Sequence, residues 1–190
     1  MKIVNKKKAL EKLQAGFPII FQTDTLPAIG CLPNFSKKIY EIKKRDPNKP
    51  LILMGAETKQ LNDFVHASAK EDYKEITSKY WPGALTVVVP VSEKKESFST
   101  SQDLTLGLRI PNSFMAQSLI KESGALLTSS ANISGVKGSL TAENISHELP
   151  DVHILGPVPW EKCSGNASTI ISWVRKREWK LIREGQVLFR

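Results

Sequence analysis

The sequence predicts one α/β domain, residues 1–190, built on a twisted sheet of mixed parallel and antiparallel strands flanked by helices. Two observations carry this expectation. Through most of the chain, apolar runs of strand length alternate with helical patterns, as parallel-type units require. Near the end, Ser168 to Trp173 and Trp179 to Ile182 are β-like and joined by the charged turn Arg175-Lys176-Arg177, which reads as an antiparallel hairpin. With 190 residues and 21.2 kDa, the chain can bury a core without disulfides or a structural metal, yet is short for two full domains.

The elements follow in order. Asn5 caps a helix from Lys6 to about Ala15, with Leu10 and Leu13 on one face and Gly16 as its stop. The strand Pro18 to Phe21 feeds the polar segment Gln22-Thr23-Asp24-Thr25, and polar residues at a strand's carboxyl end are where open α/β sheets carry ligands. Ser36 caps Lys37 to about Lys44, and Pro47 forbids helix beyond Asp46, leaving Arg45 and Lys49 in the exit loop. Leu51 to Met54 is a strand; Thr58 to Phe64 and Ala69 to Tyr80 read as helices. Trp81-Pro82-Gly83 then breaks the pattern before the β-branched run Leu85 to Val89. From Ser92 to Asp103, Ser, Lys and Glu dominate without apolar periodicity, the pattern of a mobile surface loop. Leu106 to Pro111 resumes a strand, Ser113 caps a helix to about Glu122, and Gly124 ends it before the strand Ala125 to Leu127.

Composition excludes several classes. Hydrophobic residues at 41% and charged residues at 24% argue against disorder, and the longest apolar runs are too short to span a bilayer. No signal-peptide pattern follows Met1, so a cytoplasmic protein is expected, without a membrane partner. Cys31 and Cys163 form no CxxC pair, and His66, His147 and His153 are scattered, so no metal motif or histidine triad is expected. Neither GxxxxGK[ST] nor GxGxxG occurs. The net charge of +8 favours anionic partners without choosing among nucleotides, RNA and membrane surfaces.

Two separated segments carry the chemistry. Ile39 to Arg45, running into Lys49-Pro50-Leu51, concentrates cations at a helix exit, while Thr128-Ser129-Ser130-Ala131-Asn132 offers hydroxyls and an amide after an apolar strand. Together they suit a polyphosphate beside a small polar molecule. Lys6 to Lys8 reads as solvated helix surface, and Trp81 and Trp160 as packing or turn residues.

At this point the chain resembles the YrdC-type L-threonylcarbamoyladenylate synthases, in their short single-domain form. The resemblance runs in order through Thr23-Asp24-Thr25, Lys43-x-Arg45 with Lys49-Pro50-Leu51, Trp81 to Thr86, Gly107 to Pro111, Ser130-Ala131-Asn132-x-Ser134-Gly135, Ala167 to Ile171, and Arg183-Glu184-Gly185. Two departures stand out. Pro27 occupies a position where an aromatic is common, and Lys44 and Asp46 replace the more usual small residue and proline around the basic pair. With Arg190 as the last residue, the additional C-terminal domain of longer members is expected to be missing.

The resemblance implies a YrdC-like fold and a reaction joining L-threonine, bicarbonate or CO2, and ATP into threonylcarbamoyl-AMP with release of pyrophosphate. The product serves N6-threonylcarbamoyladenosine at position 37 of tRNA and passes to a downstream threonylcarbamoyl transferase. It further implies that Lys43 and Arg45 act catalytically on the triphosphate, and that Lys49, Thr105, Ser130, Asn132 and Arg183 also bind ATP. Thr25, Arg109 and Ser168 would hold threonine, and Mg2+ would arrive with ATP. The rival reading is an RNA-binding module of the same fold without synthase activity; contact with tRNA is compatible with either. A third is the related carbamoyl-adenylate domain of hydrogenase-maturation proteins, whose zinc-finger-like and acylphosphatase segments are not seen in this sequence.

Overall fold

The computed structural model describes residues 1–93, 95, 103–136 and 138–189. The expected surface loop, 92–103, lies largely outside the described residues. Among these residues ten strands form one sheet: β1 (Lys2–Val4), β2 (Ile19–Phe21), β3 (Ala28–Cys31), β4 (Ile52–Met54), β5 (Leu85–Pro90), β6 (Thr105–Arg109), β7 (Leu126–Ser130), β8 (His153–Leu155), β9 (Thr169–Arg175) and β10 (Glu178–Arg183). Their order is β1-β8-β2-β3-β7-β4-β6-β5-β9-β10. The pairs β1/β8, β2/β8, β4/β6 and β5/β9 are parallel and the others antiparallel, so the sheet is mixed, as expected.

Among the described residues five α-helices flank it: α1 (Lys6–Gln14), α2 (Lys37–Lys43), α3 (Lys70–Tyr80), α4 (Phe114–Ser123) and α5 (Ala142–Glu148). Strand alternation sorts the core into two layers. Ile19 and Phe21 join Ala9 and Leu13 of α1 and Leu119 and Ile120 of α4, whereas Ile20 between them joins the larger cluster containing Ile39 of α2, Tyr73 of α3 and Ile145 of α5.

Local signals explain the helix boundaries. Asn5 accepts a hydrogen bond from the Lys8 amide at 2.9 Å and starts α1, while Gly16 at φ +81° ends it. Ser113 caps α4 by accepting from the Ala116 amide at 3.4 Å, and Gly124 stops it. Ser36 does not cap α2. A 3-10 turn at Pro33–Phe35 leads straight into the helix, leaving Ser36 with helical backbone and no side-chain cap bond. Thr58 to Phe64 forms two single 3-10 turns, Thr58–Gln60 and Asn62–Phe64, instead of a helix.

Candidate active site

A cavity of about 190 Å³ opens where residues of seven strands and the α2 exit loop converge. Leu26, Ala28, Ile52 and Met54 give it an apolar side; Thr23, Thr25, Thr86, Thr128, Ser130 and Ser168 supply hydroxyls; Arg45, Arg109 and Arg183 supply the cations.

Arg109, the last residue of β6, is 3% exposed. Its Nη2 pairs with Asp24 Oδ1 at 2.7 Å, Nη1 donates to Thr25 Oγ1 at 2.8 Å, and Nε donates to the Gly83 carbonyl at 3.1 Å. Burial pushes its pKa below the usual arginine value and the Asp24 charge opposes that shift. Three of its five N–H groups are thus engaged within the chain, which leaves two for an anion in the cavity. Thr23 fixes this corner: its hydroxyl donates to the Leu26 carbonyl at 2.7 Å and accepts from the Thr25 amide at 3.2 Å.

The end of α2 delivers the basic pair. Lys44 takes the left-handed conformation (φ 50°, ψ 44°), its amide bonds the Glu41 carbonyl at 3.2 Å, and the Arg45 amide returns to the Tyr40 carbonyl at 2.9 Å. These two bonds form a Schellman cap. The chain reverses there, and Arg45 reaches the cavity with Nε on the Lys49 carbonyl (3.1 Å) and Nη2 on the Pro50 carbonyl (3.0 Å). Lys43 goes the other way. It is 1% exposed and does not line this cavity; its ammonium donates to the backbone carbonyls of Ser130 and Asn132. Burial foremost, then the Arg45 charge, push its pKa down to about 8, with Glu148 opposing.

On the opposite wall, Thr86 and Ser168 share a hydrogen bond of 2.8 Å, and Arg183 Nη2 donates to the Ser168 carbonyl at 2.7 Å. The chain after β10 folds back as a strap. Gln186 N donates to the Ala167 carbonyl at 3.0 Å, and Val187 N to Thr169 Oγ1 at 3.1 Å. Gly185 permits this approach, since a Cβ there would lie 2.4 Å from the Ala167 oxygen.

Of the residues expected at the site, Thr25, Arg45, Arg109, Ser130, Ser168 and Arg183 line the cavity; Lys43, Lys49, Thr105 and Asn132 do not. Lys49 is exposed and contributes its carbonyl, Thr105 begins β6 at the end away from Arg109, and Asn132 is turned inward, its amide donating to the Ile133 and Val136 carbonyls. Pro27 is buried behind the wall with its carbonyl accepting from Ala131 N at 2.8 Å. Asp46 is used in its own turn, accepting from the Asn48 amide at 2.9 Å. Thr128 and Ser129, from the hydroxyl segment named in the sequence, also line the cavity, as do Thr23 and Thr86, which were given no ligand role. A buried threonine inside the apolar run Leu85–Pro90 was the legible signal for Thr86. A second cavity, about 570 Å³, lies against Asp24, Phe114 and Trp160 and contains none of the expected site residues.

A mixed sheet whose strand ends gather hydroxyls around a buried, acid-paired arginine, with further guanidinium groups beside it, defines an α/β protein with a site for small anionic molecules. The sequence profile of the Sua5/YciO/YrdC family, described as telomere recombination, matches residues 11–185, and the chain belongs to that family. Threonylcarbamoyl-AMP synthase of Bacillus subtilis (strain 168) is 35% identical over 160 residues, covering 81% of this chain and 46% of that protein. The enzyme of the same name from Vibrio parahaemolyticus is 30% identical over 152 residues, covering 77% and 82%. The structure of P. abyssi Sua5 complexed with L-threonine superposes with a TM-score of 0.87 at 27% identity, covering 97% of this chain and 58% of that one. E. coli YciO shares the fold, with a TM-score of 0.78 at 22% identity over 95% and 88% of the two chains. The chain therefore spans about half the length of the Bacillus relative and most of the Vibrio one.

Proposed function

We propose that this chain is an L-threonylcarbamoyladenylate synthase acting on L-threonine, bicarbonate or CO2, and ATP. The observation that carries the reading is the convergence of Thr25, Arg45, Arg109, Ser130, Ser168 and Arg183, drawn from distant parts of the sequence, on one cavity. The Sua5 structure bound to L-threonine and the names of the relatives support the substrate.

In this reading the two remaining N–H groups of Arg109 take the threonine carboxylate, with Thr25 and Ser168 beside it. The threonine nitrogen adds to the carbon of CO2 and loses a proton, giving a carbamate. A carbamate oxygen then attacks the α-phosphorus, and the bond to the leaving pyrophosphate breaks. Both reactants are anions, so the chain's contribution is positioning and positive charge, with Arg45 and Arg183 on the phosphates. A cavity of about 190 Å³ holds an amino acid and leaves the nucleotide to lie across its mouth.

Among the described residues no group of three His, Cys, Asp or Glu side chains could hold a metal, and Asp24, which does not line the cavity, is paired with Arg109. Magnesium would arrive with ATP on phosphates that Arg45 and Arg183 would hold, and would neutralise charge on the leaving pyrophosphate. Among the described residues no helix is long and apolar enough to cross a membrane, and we place the enzyme in the cytoplasm, supplying tRNA modification through a downstream transferase. The test is pyrophosphate release by purified protein with ATP, magnesium and bicarbonate. Threonine-dependent release is expected; release absent, or indifferent to threonine, refutes the synthase and leaves the RNA-binding alternative.

A further inference from the structure

The basic pair at the α2 exit, Lys43 buried and Arg45 half-buried, is not a pair in space. Lys43 and Arg45 are separated by the left-handed Lys44 and point to opposite sides of the chain. Lys43 has its backbone and side chain both committed to the segment after β7. Its carbonyl accepts from the Ser134 amide at 3.0 Å, and its ammonium meets the carbonyls of Ser130 and Asn132 and, at 3.5 Å, Asn132 Oδ1. Three ammonium hydrogens face three oxygens.

We propose that Lys43 is a positioning residue and not a ligand of the nucleotide: its ammonium fills an oxygen cage that holds the Ser130–Ser134 segment and so sets Ser130 at the cavity wall. Several observations converge on this. The segment is tied from its other side by the Ala131 amide to the Pro27 carbonyl at 2.8 Å, and Asn132 closes it internally on Ile133 and Val136. To reach a phosphate, Lys43 would abandon both carbonyls: Ser130's would keep the Asn132 amide at 3.0 Å as its donor, and Asn132's would lose the ammonium. Burial lowers its pKa, the neighbouring Arg45 lowers it further and Glu148 raises it; those two charged groups face it. Arg45 is held on the far side by Lys49 and Pro50, and Glu148 is engaged by Ser139 through one oxygen. Neither competes for the ammonium by direct hydrogen bond.

The inference rests on the synthase reading only where ATP is used, and the test separates the two. Reductive methylation of the intact protein, read by peptide mass spectrometry, should modify Lys43 on the order of 100-fold more slowly than exposed Lys7, because reaction waits for local opening. Added ATP and magnesium should leave that ratio unchanged. Modification of Lys43 as fast as Lys7, or its selective protection by ATP, overturns the proposal whether or not the protein proves to be a synthase. A second arm compares variants. Arg45→Met should weaken ATP binding by roughly 10 to 100-fold, as loss of a charge-assisted bond requires. Lys43→Met should lower kcat while ATP affinity stays within about threefold. Adding Ser130→Ala to Lys43→Met should cost little more, since residues acting as a unit are non-additive. Multiplicative losses, or an ATP affinity loss equal to that of Arg45→Met, refute the positioning role. Should Lys43→Met fail to fold, the methylation result decides.

Discussion

Replacing Lys44 with glycine should stabilise the protein, and the structure fixes the size of the effect. Schellman caps at the ends of α1 and α2 make the same bonds. In α1 the left-handed residue is Gly16, with the Phe17 amide returning to the Lys12 carbonyl at 2.9 Å; in α2 it is Lys44, with Arg45 returning to Tyr40 at 2.9 Å. A Cβ in the left-handed region costs roughly 1 to 2 kcal/mol. Glycine's greater freedom in the unfolded chain offsets about 0.5 to 1 kcal/mol of that. Losing an exposed cation at the helix C-terminus subtracts about 0.3 kcal/mol more. The net gain is about 0.5 kcal/mol, or roughly 1 to 2 °C in Tm for a chain of this length. Lys44→Ala is the control, because it keeps the backbone penalty and loses only the charge, so it should melt at or slightly below the parent. Thermal unfolding of the three proteins followed by circular dichroism gives the answer. If Lys44→Gly melts no higher than Lys44→Ala, the left-handed cap is not what aims Arg45 into the cavity, and the account of the α2 exit fails with it.

Asp24→Asn keeps an acceptor for Arg109 but removes the charge opposite a guanidinium that is 3% exposed; stability should fall by about 1 to 3 kcal/mol, read as a lower urea midpoint with an unchanged slope. Equal midpoints would mean that the pair contributes nothing. Gly185→Ala forces a Cβ against the Ala167 oxygen, the Ser168 carbon and the Thr169 nitrogen at 2.4 to 2.5 Å, all backbone, so no side-chain rotation relieves it. A loss of about 1 to 3 kcal/mol and a raised threonine KM are expected, because the strap borders Ser168; unaltered melting and kinetics would remove the strap from the site. Lys43 binds its proton less tightly folded, at about 8, than unfolded, near 10.5. Between those values the unfolded chain holds more protons, so this group's contribution to stability is full above the unfolded value and is lost as pH falls through the folded one. The stability difference between parent and Lys43→Met should therefore grow from pH 8 to pH 10.5 in denaturant titrations; a difference flat with pH would contradict the burial of the ammonium.

The elements legible in the sequence were those with local chemistry to announce them. Asn5 and Gly16 bracket α1, Ser113 and Gly124 bracket α4, and a charged turn joins β9 to β10, with Arg177 at φ 62° in that turn. The missed strands β1, β3 and β8 have only three or four residues. Ala28–Cys31 contains a glycine and follows a proline, a poor strand signature; it is a strand because β2 and β7 supply partners on both sides. The 3-10 turns at Thr58–Phe64 show the converse: Leu61 and Phe64 have helical spacing and are both buried, yet the backbone closes only short i to i+3 bonds, Leu61 on Thr58 and Phe64 on Leu61.

The site was legible as a set of residues and not as a geometry. Ordered motifs identified six of the cavity residues, because hydroxyls and arginines at strand ends have few structural uses in common. They misled where sequence proximity was taken for spatial proximity. Positions two apart on a helix do not face one another, and at the end of α2 a left-handed residue lies between Lys43 and Arg45, so the two cations could share a ligand only if the cap were undone. The same reasoning applies to Ser130 and Asn132: Ser130 ends β7 with its side available to the cavity, while Asn132, two residues on, turns back to bond the segment that carries it. In each pair one member meets the cavity and the other holds the backbone that presents it, and Lys43 bonded to Asn132 is the joint between the two. A motif of alternating residues thus records an inner scaffold and an outer contact surface together, and substitutions at its four positions should separate into effects on kcat from Lys43 and Asn132, with the Ser130 they position, and on ATP affinity from Arg45.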